Sequence, residues 1–146
     1  MIKKLFSIIV GFILIPSLAS SEERVWVGLE KASSQIGIPI LVDIYVKNTN
    51  PTEDYYRVLT VSKDLKDSKG NQLSPDLLIV DVVKRTTNSL QQGEVDFLTL
   101  KLTSLYAIDP SSKVTVIVEN STGSTFSTSF YAYSWLPESL PETNLT

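Results

Sequence analysis

Residues 36–48 read IGIPILVDIYVKN, and this stretch decides the fold class of the chain. Isoleucine or valine occupies every even position from Ile36 to Val46, whereas Asp43 and Lys47 lie at odd positions. Because side chains alternate between the two faces of a strand, this period of two predicts a strand with one buried and one solvated face. Pro39 has no amide donor, which predicts a sheet edge or a bulge at its position.

Other segments predict strands because they are rich in β-branched residues or alternate apolar with polar residues. They cover residues 25–31, 56–63, 77–84, 94–103, 113–120 and 125–133. Between residues 94 and 103 the apolar phase changes after Phe97, which predicts a bulge there. Asn, Asp, Gly and Pro residues separate the segments, as turns require. No segment after residue 19 has an apolar helical period.

This spacing predicts an all-β protein with an antiparallel, immunoglobulin-like sandwich of about seven strands. A jelly-roll of eight or nine strands is the alternative. We expect the sandwich domain to span residues 20–135. The tail at residues 136–146 contains two LPE units and no apolar period, so we expect an extended segment.

The first 19 residues have the pattern of a secretory signal peptide. Lys3 and Lys4 precede an apolar run at residues 5–15, and Pro16 is followed by Ser17 and Ala19, which are spaced as signal peptidase requires. The run is shorter than the roughly 20 apolar residues that a membrane-spanning helix needs. We therefore expect cleavage after Ala19, no membrane span after cleavage, and export to the periplasm, the cell surface or the exterior.

The composition excludes several classes of function. The chain has no cysteine and no histidine, so Ser-His-Asp and Cys-His catalysis and Cys or His zinc sites are impossible. The net charge is −3; the 13 basic residues less Lys3 and Lys4 leave 11 against 16 acidic ones, or −5 after cleavage. Nucleic acid binding needs a basic surface. We expect neither an enzyme, nor a nucleic-acid binder, nor a protein with a cofactor or a metal.

Two kinds of short motif have simple structural interpretations. Residues 64–71 read DLKDSKGN and offer Asp64, Asp67 and Asn71 as calcium ligands, but the spacing is not that of an EF-hand. A hairpin with Gly70 at positive φ is the preferred interpretation. Asn120 and Asn144 each begin an N-glycosylation pattern, which is typical of surface loops in exported chains.

Five aromatic residues form the candidate binding site. Tyr131, Tyr133 and Trp135 share one phase of the last strand, opposite Phe130, and Trp26 and Tyr45 are likewise out of phase with their apolar neighbours. These rings are predicted to lie opposite the core. They could cap the sandwich, form a protein-binding face, since Tyr and Trp are enriched at interface hot spots, or form a platform for sugar rings.

The stretch VWVGLEKASSQIGIPILVDIYVKN, together with EVDFLTLKLT followed by KVTVIVEN, resembles extracellular modules of the cohesin type. The resemblance implies a non-catalytic module that binds a protein partner on one sheet face, but no partner-contacting residue can be carried over. We therefore expect a monomeric binding module with a protein partner. A carbohydrate-binding module with a polysaccharide partner and a structural subunit of a surface filament are the alternatives.

Overall fold

The computed structural model describes residues 24–137. The predicted signal peptide, most of the predicted tail and the Asn144 pattern lie outside these residues. No helix in the described part of the chain is long and apolar enough to cross a membrane.

Nine strands and one short 3-10 helix at Pro75–Leu77 make up the described chain. In order, the strands are β1 Val25–Val27, β2 Lys31–Gln35, β3 Ile40–Lys47, β4 Tyr56–Lys66, β5 Gln72–Leu73, β6 Leu78–Lys84, β7 Val95–Ser104, β8 Ile108–Asn120 and β9 Thr125–Trp135.

The strands form a two-sheet sandwich with immunoglobulin topology. One sheet has the order β1-β3-β7-β6 and the other β2-β9-β8-β4-β5. Without β2 and β5, these orders are A-B-E-D and G-F-C of the seven-strand immunoglobulin fold. The prediction of an immunoglobulin-like sandwich is therefore confirmed. The two short additional strands lie on the edges of the second sheet, and β2 pairs with β9 in parallel rather than antiparallel.

The core lies between the sheets and uses the alternation seen in the sequence. Its fully buried side chains include Val42, Ile44, Val46, Leu98, Leu100, Leu102, Val114, Val116 and Val118. These side chains occupy every second position of β3, β7 and β8, because only one face of each strand packs against the opposite sheet.

Two local predictions are wrong. Residues 36–39 form a turn in which Gly37 has φ +85° and Ile38 is 55% exposed, so β3 begins only at Ile40. The alternation cannot continue through a positive φ, which only glycine adopts without strain. The predicted bulge at Phe97 is also absent, because β3 and β7 pair without a break from Ile40–Leu102 to Lys47–Val95. Val95 and Phe97 instead lie on the outer face.

A buried polar network closes one end of the sandwich. Asn48 donates to the carbonyls of Thr52 and Leu90 and accepts from the Tyr56 hydroxyl. Asp54 accepts from the amide and hydroxyl of Ser121. Burial opposes ionisation of Asp54, but these hydrogen bonds outweigh it and hold the pKa of this carboxyl below its ordinary value.

Asn120 belongs to the same closed end and is buried, at 5% exposure. Its side-chain oxygen accepts from the amides of Thr122 and Ser124 and from the Thr122 hydroxyl. The glycosylation pattern at this residue is therefore better explained as a turn-stabilising asparagine, because its side chain is buried instead of being presented to solvent as an acceptor of a glycan.

Candidate binding cleft

An open cleft of about 770 Å³ lies at the other end of the sandwich. We call it the end cleft. Its walls come from the β4–β5 hairpin, the β7–β8 connection, the start of β8 and the end of β9. The lining residues are Ile36, Asp67, Ser68, Lys69, Asn71, Leu105, Tyr106, Ala107, Ile108, Asp109, Pro110, Tyr133, Ser134, Trp135 and Leu136.

The first wall is the hairpin predicted for this segment, and Asp67 fixes its turn. One carboxylate oxygen of Asp67 accepts from the amides of Lys69 and Asn71, both at 2.9 Å, while Gly70 has φ +83°. These hydrogen bonds, led by the one from the Asn71 amide, lower the pKa of Asp67. The turn is thus held by an ionised carboxylate, which also carries a negative charge to the cleft wall.

The β8 wall owes its shape to a bulge. The pairing of β8 with β9 shifts between Ile108 and Ser112, and Pro110 lies within the irregular segment. Proline cannot donate to a ladder and is found at bulges for that reason. Asp109 accepts from the Ser111 amide and hydroxyl, which lower its pKa, whereas the nearby charge of Asp67 acts in the opposite direction. The bulge therefore brings a second ionised carboxylate into the end cleft.

A buried pair of serines holds the third wall. Ser134 donates to the Tyr106 carbonyl at 2.7 Å and accepts from the Ile108 amide at 3.0 Å and from the Ser104 hydroxyl at 2.8 Å. Because these groups are buried, the hydrogen bonds fix the backbone around Tyr106. The Tyr106 side chain itself is 50% exposed. The fold thus presents an aromatic ring on a rigid loop at the cleft mouth.

The fourth wall is the end of β9. Tyr133 and Trp135 have ring centroids 5.3 Å apart, and the Trp135 carbonyl accepts from the Ile36 amide. Their side chains point away from the core while Ala132 and Ser134 point inward, as the alternation of this segment predicts. Trp135 is 37% exposed, and Leu136 beyond it is exposed as well. Two of the five candidate residues therefore line the end cleft.

The other three candidates lie elsewhere. Tyr131 is exposed on the outer face of the same sheet but does not line the cleft. Trp26 and Tyr45 lie on the outer face of the first sheet, where their rings are stacked with centroids 5.8 Å apart, and Phe97 is the next ring. A Cβ added to Gly28 would approach the Tyr45 ring to 2.9 Å. Tyr45 thus packs closely over β1, and its ring is largely used within the sheet.

The end cleft combines apolar rings with a few fixed charges, which is the usual character of a ligand site. It offers no general base of the histidine or cysteine type. Among the described residues no three acidic side chains converge as a metal site would need. In the considered calcium loop, Asp64 accepts from Lys66 and Gln72, whereas Asp67 is used in the turn. The arrangement suits binding of a chain or a small molecule.

Sequence reasoning missed Tyr106, Leu105 and Asp109. They lie between predicted strands, where no period marks them. The stretch SLYAIDP did hold one signal, an apolar pair, Leu105 and Tyr106, two residues before a turn-forming Asp-Pro. Their position beside Trp135 depends on contacts between distant strands and could not be read from the sequence.

Comparisons with known proteins support the fold. No family model matches the chain, and no curated protein matches it in sequence. Its structure is similar to the ASH / PapD-like domain 7 of human CEP192, with a TM-score of 0.59 at 10% identity over 79% of this chain and 87% of that one. At this identity the likeness shows an immunoglobulin-like, PapD-like sandwich fold and nothing more.

Two further solved structures are similar at lower TM-scores. A FixG-related protein from Vibrio parahaemolyticus gives a TM-score of 0.45 at 15% identity over 68% of this chain and 82% of that one. The class 5 fimbriae chaperone CfaA gives 0.42 at 13% identity over 78% of this chain and 57% of that one. The CEP192 domain is PapD-like and not a cohesin, so the cohesin resemblance stays a hypothesis.

Proposed function

We propose that this chain is an exported, non-catalytic module that binds a protein partner through the end cleft. The observation that carries the proposal is the cleft itself, in which Tyr106, Trp135 and Leu136 remain exposed around a cavity of about 770 Å³. Apolar rings held open to solvent are costly unless they are used, and aromatic anchors in a concave surface are typical of binding hot spots. Export rests on the pattern of residues 1–19.

Rigidity of the walls supports the proposal. The Asp67 turn, the β8 bulge and the Ser104–Ser134 pair hold the cleft with internal hydrogen bonds. A preformed site loses less conformational entropy when a partner binds. This favours recognition by the cleft over a role as packing cap for its rings, since a cap would bury them.

Capture of partners from the envelope of the native host tests the proposal. The full chain should retain a partner that Tyr106→Ala and Trp135→Ala each weaken by about tenfold or more, the loss typical of hot-spot residues. Tyr131→Ala is the matched control, because Tyr131 is an exposed tyrosine on the same strand and face as Tyr133 but outside the cleft. We expect it to bind like the parent protein.

Two results would contradict the proposal. If Tyr131→Ala weakens partner binding and Trp135→Ala does not, the binding site lies outside the cleft. Retention by a purified polysaccharide in place of a protein, with dependence on the same rings, would favour the carbohydrate-binding alternative.

A further inference from the structure

We propose that the end cleft recognises a basic side chain, arginine or lysine, in an extended apolar segment of its protein partner. The inference rests on the proposed function and adds the chemistry of the partner. The cationic head would lie between Asp67 and Asp109, and the aliphatic stem would lie along the rings of Tyr106 and Trp135.

Charge complementarity gives the first argument. The described cleft lining contains two carboxylates, Asp67 and Asp109, and one ammonium group, on Lys69. Both carboxyl pKa values are below the ordinary range, because backbone amides and the Ser111 hydroxyl donate to them. Each carboxylate still has acceptor capacity, since two oxygens offer about four acceptor positions. The cleft is therefore negative on balance and fits a cation better than an anion.

The aromatic lining gives the second argument. An arginine or lysine stem packs on apolar surface while its head remains polar, and a cation near an aromatic face gains further attraction. Tyr106, Tyr133 and Trp135 supply three such rings in the same cleft lining as the two carboxylates. Lys31 of this chain already lies 5.9 Å from the centre of the Tyr133 ring, so the partner's basic side chain would rely on the rings of Tyr106 and Trp135.

The chain's own tail is a poorer occupant. The described chain leaves the cleft at Leu136 and Pro137, and the sequence that follows, ESLPETNLT, has two glutamates and no basic residue. A segment of that charge would be repelled by Asp67 and Asp109. A separate basic segment is the complementary partner.

Selection from a library of displayed random heptapeptides tests the inference with the full chain as bait. Selected peptides should be enriched in arginine or lysine flanked by apolar residues. The best of them, made synthetically, should bind about tenfold more weakly to the double variant Asp67→Asn, Asp109→Asn. Asparagine keeps the side-chain oxygen that each turn uses, so the variant should fold, and its melting curve checks this.

Two further variants sharpen the assignment. Lys69→Gln should bind the same peptides more tightly, because it removes the one opposing charge of the cleft lining. Asp76→Asn is the matched control, since Asp76 is exposed in the 3-10 helix and does not line the cleft, and binding should not change. Raised salt should weaken the parent protein's binding and affect the double variant less.

Failure of this inference differs from failure of the proposed function. Peptides that lose binding with Trp135→Ala but show no basic enrichment, or bind the double variant equally well, would overturn the inference and leave the cleft as a binding site. If no selected peptide depends on Tyr106 or Trp135, the proposed function falls with it.

Discussion

Single polar residues decide the shape of the candidate site. Ser134 is buried at 3% exposure and its hydroxyl makes three hydrogen bonds that join β9, β8 and the loop of Tyr106. Asp67 and Asp109 each close a turn with one carboxylate. None of these roles has a signature in the sequence beyond the residue type, because a serine in a strand is usually solvated. By contrast, the alternation of side chains along β9 is enough to predict that Tyr133 and Trp135 point away from the core.

Ser134→Ala tests the residue that holds the Tyr106 loop. The change leaves the Ile108 amide without its acceptor, and the Ser104 hydroxyl keeps only its longer bond to the Tyr106 carbonyl at 3.3 Å. We therefore expect a loss of unfolding free energy of about 1–3 kcal/mol. Ser127→Ala is the matched control, since Ser127 is an exposed serine of the same strand and should change stability by no more than about 0.5 kcal/mol. Urea denaturation measures both. Equal midpoints for the two variants would show that the serine pair does not support the fold.

At the scale of elements, prediction succeeded where one face of a strand is buried by a second sheet. β3, β8 and β9 show this, since Val42, Val116 and Phe130 all point inward in the expected phase. Prediction failed at β2 and β5, because neither strand has an apolar period. The β2 sequence, KASSQ, pairs with β9 only because the chain crosses to the other sheet there. Edge strands of this kind are held by backbone hydrogen bonds, to which the side-chain pattern contributes little.

Val42→Asp tests the phase of β3. Val42 is fully buried, so an unpaired carboxylate should lower the unfolding free energy by roughly 4 kcal/mol or more. Asp43→Asn is the neighbouring control. Asp43 accepts from the Thr99 hydroxyl at 2.9 Å, and an asparagine oxygen can accept the same bond, so we expect little change. Similar melting temperatures for the two variants would contradict the assignment of faces.

At the scale of the whole molecule, the sheet edges bear on the filament alternative. The described edge strands are β1, β2, β5 and β6, with three, five, two and seven residues. Three of them are too short to be good templates for a further strand. The long one, β6, has a pairing irregularity between Val82 and Lys84, exposes the charge of Asp81, and has its Leu78 carbonyl bonded by Lys63. These are the features by which edges resist association.

We therefore predict that the protein is a monomer, and that Asp81 protects the β6 edge. Asp81→Val would turn residues 77–83 into an uninterrupted apolar run, LLIVVVV, on an open edge, and such runs pair readily with copies of themselves. Light scattering after size exclusion should give a monomer mass for the parent protein and larger, concentration-dependent species for the variant. Asp76→Val, in the adjacent 3-10 helix and also exposed, is the control and should remain monomeric. If the parent protein elutes as multimers that persist on dilution, the prediction is contradicted. That result would favour a filament subunit, because it would indicate that edge strands pair between chains.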